Sequence, residues 1–268
     1  MQMVREFQRI YSACIGLFIS ILLVGCAGPR LVSHTAEDDI RIDGEQTEWT
    51  NELQYQEDAG VSLGIAHDKQ SIYFCIVVAD PEVKRVTYLR GLTLWLDAGG
   101  GRDKAFGIKY PLGLTPALRQ ELLRQQDQWT GIPNYQRILD RLPADFLLLR
   151  RGQEDTPMSV EDNPANIRLG LNLDHGNLVY EGKIPLTEIF HSPAGVPTSG
   201  AKVGLGIENP QPESNRQMEA RQVPQQGGPM GSPTTGRRRG SARLDQQSPT
   251  RQSGLDLWRT IQIPPAES

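Results

Sequence analysis

The sequence is poor in the residues that most often carry catalysis or bind metals. Its 268 residues include three cysteines and four histidines, and no histidine belongs to a zinc-binding HExxH pattern. We interpret His34, His67, His175 and His191 as surface or turn residues, and we name no catalytic or metal-binding residue. A glycan-processing hydrolase stays open as an alternative, because the separation of paired carboxylates is not visible in a sequence.

The chain also lacks an apolar run long enough to cross a bilayer, which takes about 20 residues. Its longest apolar stretch, Ile10 to Val24, follows the basic residues Arg5 and Arg9. A basic region followed by a short apolar region is typical of a secretory signal, so we expect a signal peptide at 1–25.

The end of that stretch, LVGC at Leu23 to Cys26, resembles the lipobox of bacterial lipoproteins. The resemblance implies cleavage before Cys26, a diacylglycerol on its thiol and a third acyl chain on the new amine, and several chains together anchor a protein firmly. An alanine after the cysteine, as at Ala27, does not give inner-membrane retention in that family. We therefore expect a lipid anchor in the bacterial cell envelope, in the outer membrane where there are two membranes. An uncleaved signal anchor is the alternative.

An excess of positive charge is missing as well. Removal of the signal leaves a net charge of about −5, so a nucleic acid partner is not expected. Cys14 leaves with the signal and Cys26 is predicted to be acylated, so Cys75 has no partner for an intramolecular disulfide. It lies in the apolar segment SIYFCIVVAD, and we predict that it is a small buried side chain rather than a reactive thiol.

What the sequence does contain is a succession of strand-like segments of period two, typical of an all-β protein. The predicted strands are VSLGIAH, SIYFCIVVA, GLTLWLD, AFGIKYP, DFLLLR, NIRLGLN, NLVYEGKIPL, KVGLGIE and LDLWRTIQIP. Two short helices interrupt them between about 115 and 142. The first has Thr115 as its cap and Pro116 at its first position, and the second is NYQRILDRL.

Composition divides the chain into five parts. We expect the signal at 1–25, a lipidated tether at 26–38, a β-sandwich domain at 39–208, an insertion at 209–254, and a final strand with the C-terminus at 255–268. The insertion is rich in Pro, Gln, Gly and Arg and has almost no large apolar residue, so we predict that it is disordered.

The glycine-rich stretch DAGGGRDKAFG, residues 97–107, invites comparison with a phosphate-binding loop. Such loops lead into a helix N-terminus, but the residues after Lys104 have a strand pattern. We therefore predict a hairpin connection whose glycines take positive φ. A calcium ion held by Asp97 and Asp103 is an alternative, although two carboxylates are too few to specify a site.

Four tryptophans supply flat surfaces on which a sugar ring could stack. Trp95 and Trp258 alternate with apolar strand residues and Trp49 follows a turn, so at least two of these three are expected to be structural. Trp129 lies between the two predicted helices, beside Gly131 and Pro133. We predict Trp129 as the ligand-binding residue.

Several motifs, in their order, resemble family 9 carbohydrate-binding modules and related DOMON-like sandwiches. They are IRIDGEQTEW with Ile42, Asp43, Gly44, Glu48 and Trp49, then HDKQSIYFCIVVAD ending at Asp80, then YEGKIPL from Tyr180 to Leu186. The resemblance implies an antiparallel two-sheet β-sandwich that is a binding module, in some members for sugars and in others for haem, sometimes accompanied by calcium. The sugar-gripping tryptophans of family 9 have no counterpart that can be placed here, and no methionine and histidine pair marks a haem site.

These observations favour a lipid-anchored, non-catalytic module whose ligand is a carbohydrate, with no cofactor. The principal alternative is a structural or assembly component that binds another envelope protein through its helices at 115–142. The hydrolase described above is the second alternative.

Overall fold

The computed structural model describes residues 30–36, 40–125, 135–190, 200–211 and 254–264. Their strands are β1 (Arg30–Val32), β2 (His34–Thr35), β3 (Gln54–Gln56), β4 (Val61–His67), β5 (Ser71–Val78), β6 (Thr93–Asp97), β7 (Phe106–Lys109), β8 (Asp145–Arg150), β9 (Thr156–Ser159), β10 (Arg168–Asp174), β11 (Asn177–Pro185), β12 (Ala201–Glu208) and β13 (Asp256–Ile263). The helices are α1 (Pro81–Arg90), α2 (Pro116–Gln125), α3 (Tyr135–Leu139) and α4 (Leu186–Phe190), with a 3₁₀ turn at Thr47–Trp49.

The strands form two sheets, which confirms the predicted all-β sandwich. One sheet has seven strands in the order β1-β13-β12-β6-β7-β8-β9, and the other has six in the order β10-β11-β5-β4-β2, with β3 also paired to β4. The short pairs of β1 with β13 and of β2 with β4 are parallel, and the other pairs are antiparallel. The strand predicted near the C-terminus is β13, paired along its whole length with β12.

The main core lies between the two sheets, where alternate residues of each strand point inward. On β13, for example, Leu257, Ile261 and Ile263 are buried, whereas Trp258 and Thr260 on the other face are only half-buried. A second, smaller apolar cluster covers the outer face of the six-stranded sheet. Its buried members are Trp49, Ala66, Tyr73, Cys75, Val77 and Val179. Because both faces of this sheet are covered, β5 is buried along all of its residues.

The two helices predicted between 115 and 142 are confirmed as α2 and α3, and the structure adds α1 and α4, which were not predicted. The signals for α1 are nevertheless present in the sequence. Asp80 caps this helix by accepting hydrogen bonds from the backbone N–H groups of Glu82 and Val83, and Pro81 occupies the first turn. Gly91 ends it with φ +84°. The helix start was missed because the apolar run before Asp80 has the pattern of one continuous strand.

The segment expected to be a tether contains two strands. β1 pairs with β13 in the seven-stranded sheet, and β2 pairs with β4 in the six-stranded sheet. Among the described residues, paired structure is therefore present from Arg30 onward, earlier than the expected start near Ile40, and residues 27–29 separate Arg30 from Cys26 in the sequence. Short strands of this kind have no period that a sequence can reveal, since two or three residues cannot alternate measurably.

Several predictions concern residues outside the described ranges. They are the signal peptide, the acylated Cys26, Trp129, His191 and nearly all of the predicted disordered insertion, namely 212–253. Within the described ranges, no helix is both long and apolar enough to cross a membrane.

Candidate functional site

The glycine-rich loop between β6 and β7 is a hairpin connection, as predicted. The side chain of Asp97 accepts hydrogen bonds from the backbone N–H groups of Gly99 (2.8 Å), Gly101 (2.9 Å) and Asp103 (3.0 Å). The N–H groups that could surround a phosphate are thus occupied by the carboxylate of the loop itself. Of the three consecutive glycines, only Gly100 has positive φ, at +73°.

The same contacts weaken the calcium alternative. Both carboxylate oxygens of Asp97 already accept backbone hydrogen bonds, and Asp103 forms an ion pair with Arg151. Across the described part of the chain, no group of three or more His, Cys, Asp or Glu side chains is arranged to hold a metal ion.

The IDG and tryptophan residues that carry the family resemblance have a structural task here. Glu181 on β11 is 0% exposed and accepts hydrogen bonds from the N–H groups of Asp43 (3.1 Å) and Gly44 (2.7 Å) and from Trp49 Nε1 (2.6 Å). Burial raises the pKa of Glu181 to about 7, and these hydrogen bonds partly oppose that rise. The ring of Trp49 covers Gly64, so the segment around Asp43 is fixed on the outer face of the six-stranded sheet.

Cys75 is fully buried, as predicted, and burial raises the pKa of its thiol. Of the histidines, His67 differs from the prediction because only 8% of it is exposed. Its Nδ1 lies 3.0 Å from Ser33 Oγ, and burial lowers its pKa, so it is a buried residue of β4 that contacts the chain between β1 and β2. His34 lies 3.3 Å from Glu52, and His175 is in the turn between β10 and β11 with φ +49°.

The segment GVSLG at Gly60–Gly64 matches the GxSxG pattern of hydrolase nucleophiles. That pattern works when the serine stands at a sharp turn between a strand and a helix. Ser62 instead lies inside β4, paired with Tyr55 on β3 and Val77 on β5. The match therefore carries no nucleophile.

The outer face of the seven-stranded sheet carries the most distinctive arrangement. Trp258, Gly206, Trp95 and Gly107 occupy adjacent strands and form one cross-strand row. A Cβ atom on Gly206 would lie 2.6–2.7 Å from three atoms of the Trp258 ring, and one on Gly107 would lie 2.5–3.1 Å from three atoms of the Trp95 ring. Each indole therefore lies with one face against a glycine, and its opposite face points away from the sheet.

Trp49 is buried, as expected of a structural residue, whereas Trp95 and Trp258 lie outside the core. Both are half-buried, and neither belongs to either of the two apolar clusters. The rings cover Gly206 on β12 and Gly107 on β7, which are two strands apart. With about 4.8 Å between strands, the two indoles are separated by roughly 10 Å. We call Trp95 and Trp258, with the glycines beneath them, the tryptophan row.

Charged groups lie beside the tryptophan row. Glu208 Oε1 accepts a hydrogen bond from Trp95 Nε1 at 2.9 Å, and its Oε2 lies 2.5 Å from Lys104 Nζ. Lys104 Nζ is also 5.5 Å from the centre of the Trp95 ring. The site thus combines two flat apolar surfaces with a carboxylate and an ammonium group, which can exchange hydrogen bonds with hydroxyl groups.

A signal for this site was present in the sequence. Within FGIK and KVGLGIE, glycines stand at strand positions where no turn requires them. A glycine in a strand often marks the close approach of another group, here an indole from the neighbouring strand. Only the register of the strands shows which tryptophan covers which glycine. Trp129, the predicted ligand-binding residue, lies outside the described residues and stays a prediction.

Comparison with known proteins yields distant structural similarities. No family model matches the chain, and no curated protein matches it in sequence. A family 9 carbohydrate-binding module from Caldicellulosiruptor kristjanssonii, in complex with glucose, aligns with a TM-score of 0.33 and 14% identity over 70% of this chain and 81% of its own. The same module with cellotriose gives 0.34 and 14%, over 70% and 79%.

A putative carbohydrate-binding protein from Bacteroides uniformis aligns with a TM-score of 0.36 and 13% identity, over 68% of this chain and 84% of its own. TM-scores this low establish no shared site. A functional conclusion must therefore come from the residues of this chain.

Proposed function

We propose that this protein is a lipid-anchored, non-catalytic carbohydrate-binding module whose ligand stacks on the tryptophan row. The observation that carries the proposal is the pair of half-buried indoles lying flat over Gly206 and Gly107 on the outer face of the seven-stranded sheet. Flat aromatic faces suit the apolar faces of hexose rings, because both are rigid and lose little conformational entropy on contact.

The polar neighbours fit the same ligand class. Trp95 is held in place by Glu208, which is itself paired with Lys104, so little ordering is needed when a ligand arrives. The separation of roughly 10 Å between the rings corresponds to stacking on two sugars of a chain with one sugar between them. A linear oligosaccharide therefore fits better than a monosaccharide.

The test compares variants that remove an indole from the tryptophan row with a variant that removes an aromatic ring elsewhere. We expect Trp95→Ala and Trp258→Ala each to weaken binding of a linear oligosaccharide by at least about tenfold, which corresponds to about 1.4 kcal/mol. The control is Tyr55→Ala, which removes an exposed aromatic ring from the other sheet. Isothermal titration with a panel of soluble oligosaccharides measures the effect, and circular dichroism verifies that each variant is folded.

The outcomes separate the alternatives. Binding that survives both tryptophan substitutions and disappears in Trp129→Ala would move the site to the residue first predicted. Cleavage of the oligosaccharide would contradict the non-catalytic part of the proposal and favour a hydrolase. Absence of binding to every glycan, with recovery of an envelope protein in a pull-down, would favour the assembly role.

The anchor at Cys26 is part of the same proposal. Cys26→Ser should release the protein from membranes, and intact-mass analysis of the mature protein should show an acylated N-terminal cysteine. A mature protein that starts elsewhere, or an unmodified Cys26, would contradict the anchor and leave the tryptophan row untouched.

A further inference from the structure

One edge of the sandwich has exposed apolar side chains that the carbohydrate site does not use. β1 is one of the two edge strands of the seven-stranded sheet, and the chain crosses from it to the other sheet at Ser33. β3 lies along the same edge, because Gln56 Oε1 accepts a hydrogen bond of 2.6 Å from Arg259 Nε on β13. We call β1, β2 and β3 together the β1 edge.

Among the side chains whose burial the structure describes, the exposed large apolar ones lie on the β1 edge. Val32 on β1 is 52% exposed and Tyr55 on β3 is 67% exposed. Val32 points to the outer side of the seven-stranded sheet, and Tyr55 to the outer side of the six-stranded sheet. Tyrosine is enriched where proteins meet the membrane interface, since its ring is apolar and its hydroxyl stays in contact with water.

The position of the predicted anchor relative to this edge is the second observation. Four residue steps separate Cys26 from Arg30, the first residue of β1. A fully extended chain spans at most about 3.6 Å per residue, so the acylated cysteine lies within about 14 Å of the start of β1. The length of the chain there thus keeps the start of β1 within about 14 Å of the predicted anchor.

We propose that the β1 edge rests on the bilayer that holds Cys26, with the seven-stranded sheet standing upright on it. This inference rests on the anchoring proposed above. In this orientation the strands run parallel to the membrane, and each successive strand counted from β1 lies farther from the bilayer. The tryptophan row crosses the strands, so a glycan stacked on it extends away from the membrane, as a sugar chain attached to a lipid of the same membrane does.

Single cysteines on three strands provide a ruler. Val32→Cys, Lys202→Cys and Ser159→Cys place exposed thiols on β1, β12 and β9, all on the outer face of the seven-stranded sheet. From the strand spacing, β12 lies about 10 Å and β9 about 29 Å from β1. Cys75 is buried and Cys26 carries the anchor, so labelling is specific for the new thiol.

The experiment uses the full lipidated chain in vesicles of phosphatidylethanolamine and phosphatidylglycerol that carry a quencher on a fraction of the headgroups. We expect strong quenching of a fluorophore at residue 32, weaker quenching at 202 and almost none at 159. Equal quenching at the three positions, or the reverse order, would overturn the proposed orientation. Self-quenching of the fluorophore that is confined to residue 32 at a low ratio of lipid to protein would also overturn it, because a second copy of the chain would then cover the edge.

Failure of the anchor is distinguishable from failure of the orientation. Protein that does not sediment with the vesicles, or that has an unmodified Cys26 by mass, contradicts the anchoring and the orientation together. Protein that sediments with acylated Cys26 but shows no gradient of quenching contradicts the orientation alone.

Discussion

Replacement of Glu181 by glutamine tests how the N-terminal segment is held on the sandwich. The carboxylate accepts three hydrogen bonds, from Asp43 N, Gly44 N and Trp49 Nε1, and its two oxygens share them. A glutamine keeps the shape but presents an NH₂ group in place of one oxygen. The NH₂ group of the glutamine then faces an N–H donor. At least one buried N–H group is left without an acceptor.

The cost can be taken from the group that loses its partner. A buried donor without an acceptor costs about 1–3 kcal/mol. In a domain of this size each kcal/mol lowers the melting temperature by about 2–4 °C, so at pH 8 we expect a decrease of roughly 2–12 °C for Glu181→Gln. Hydrogen exchange should also increase in residues 40–53, whose backbone is tied to Glu181.

The pH dependence gives a second readout. Because the pKa of Glu181 is raised in the folded state from 4.5 to about 7, its contribution to stability is fully present below pH 4.5 and is lost as the pH rises through about 7. Glutamine does not titrate, so the stability difference between wild type and Glu181→Gln should be larger at pH 5 than at pH 8. The control, Glu154→Gln, replaces an exposed carboxylate. An unchanged melting temperature for Glu181→Gln at both pH values would refute the reasoning.

Two further predictions concern glycines and the loop beside the tryptophan row. Gly206→Ala would place its Cβ 2.6 Å from the Trp258 ring and should weaken oligosaccharide binding by about tenfold in titration calorimetry. Gly64→Ala, which meets Trp49 on the other sheet at 2.5 Å, should lower the melting temperature but leave the affinity unchanged; equal effects on affinity would contradict the site. Asp97→Ala removes the acceptor of three loop N–H groups, so hydrogen exchange at residues 99–103 should rise, and unchanged exchange would contradict the role given to Asp97.

Much of the framework could be predicted because it depends on local patterns. Alternation along the segment at 255–263 predicted β13 and its buried face, and the absence of a helix after Lys104 predicted that the glycine loop is a turn. The capping residue Asp80 was equally local, yet α1 was missed because the apolar run before it dominated the pattern. The strands β1 and β2, of three and two residues, form only through pairing with their partners, so no sequence pattern predicts them.

The site depends on register and therefore on the tertiary structure. The sequence determined that Trp95 and Trp258 stand in strands, and that glycines stand in the strands around them. Which face of the sheet the indoles occupy, and which glycine lies under each, follows from pairings between strands far apart in the chain, such as Gly206 with both Trp95 and Trp258. The same holds for Glu181, whose three donors come from more than 130 residues earlier. Local chemistry thus fixed the elements, whereas the packing of distant strands decided which side chains face solvent together.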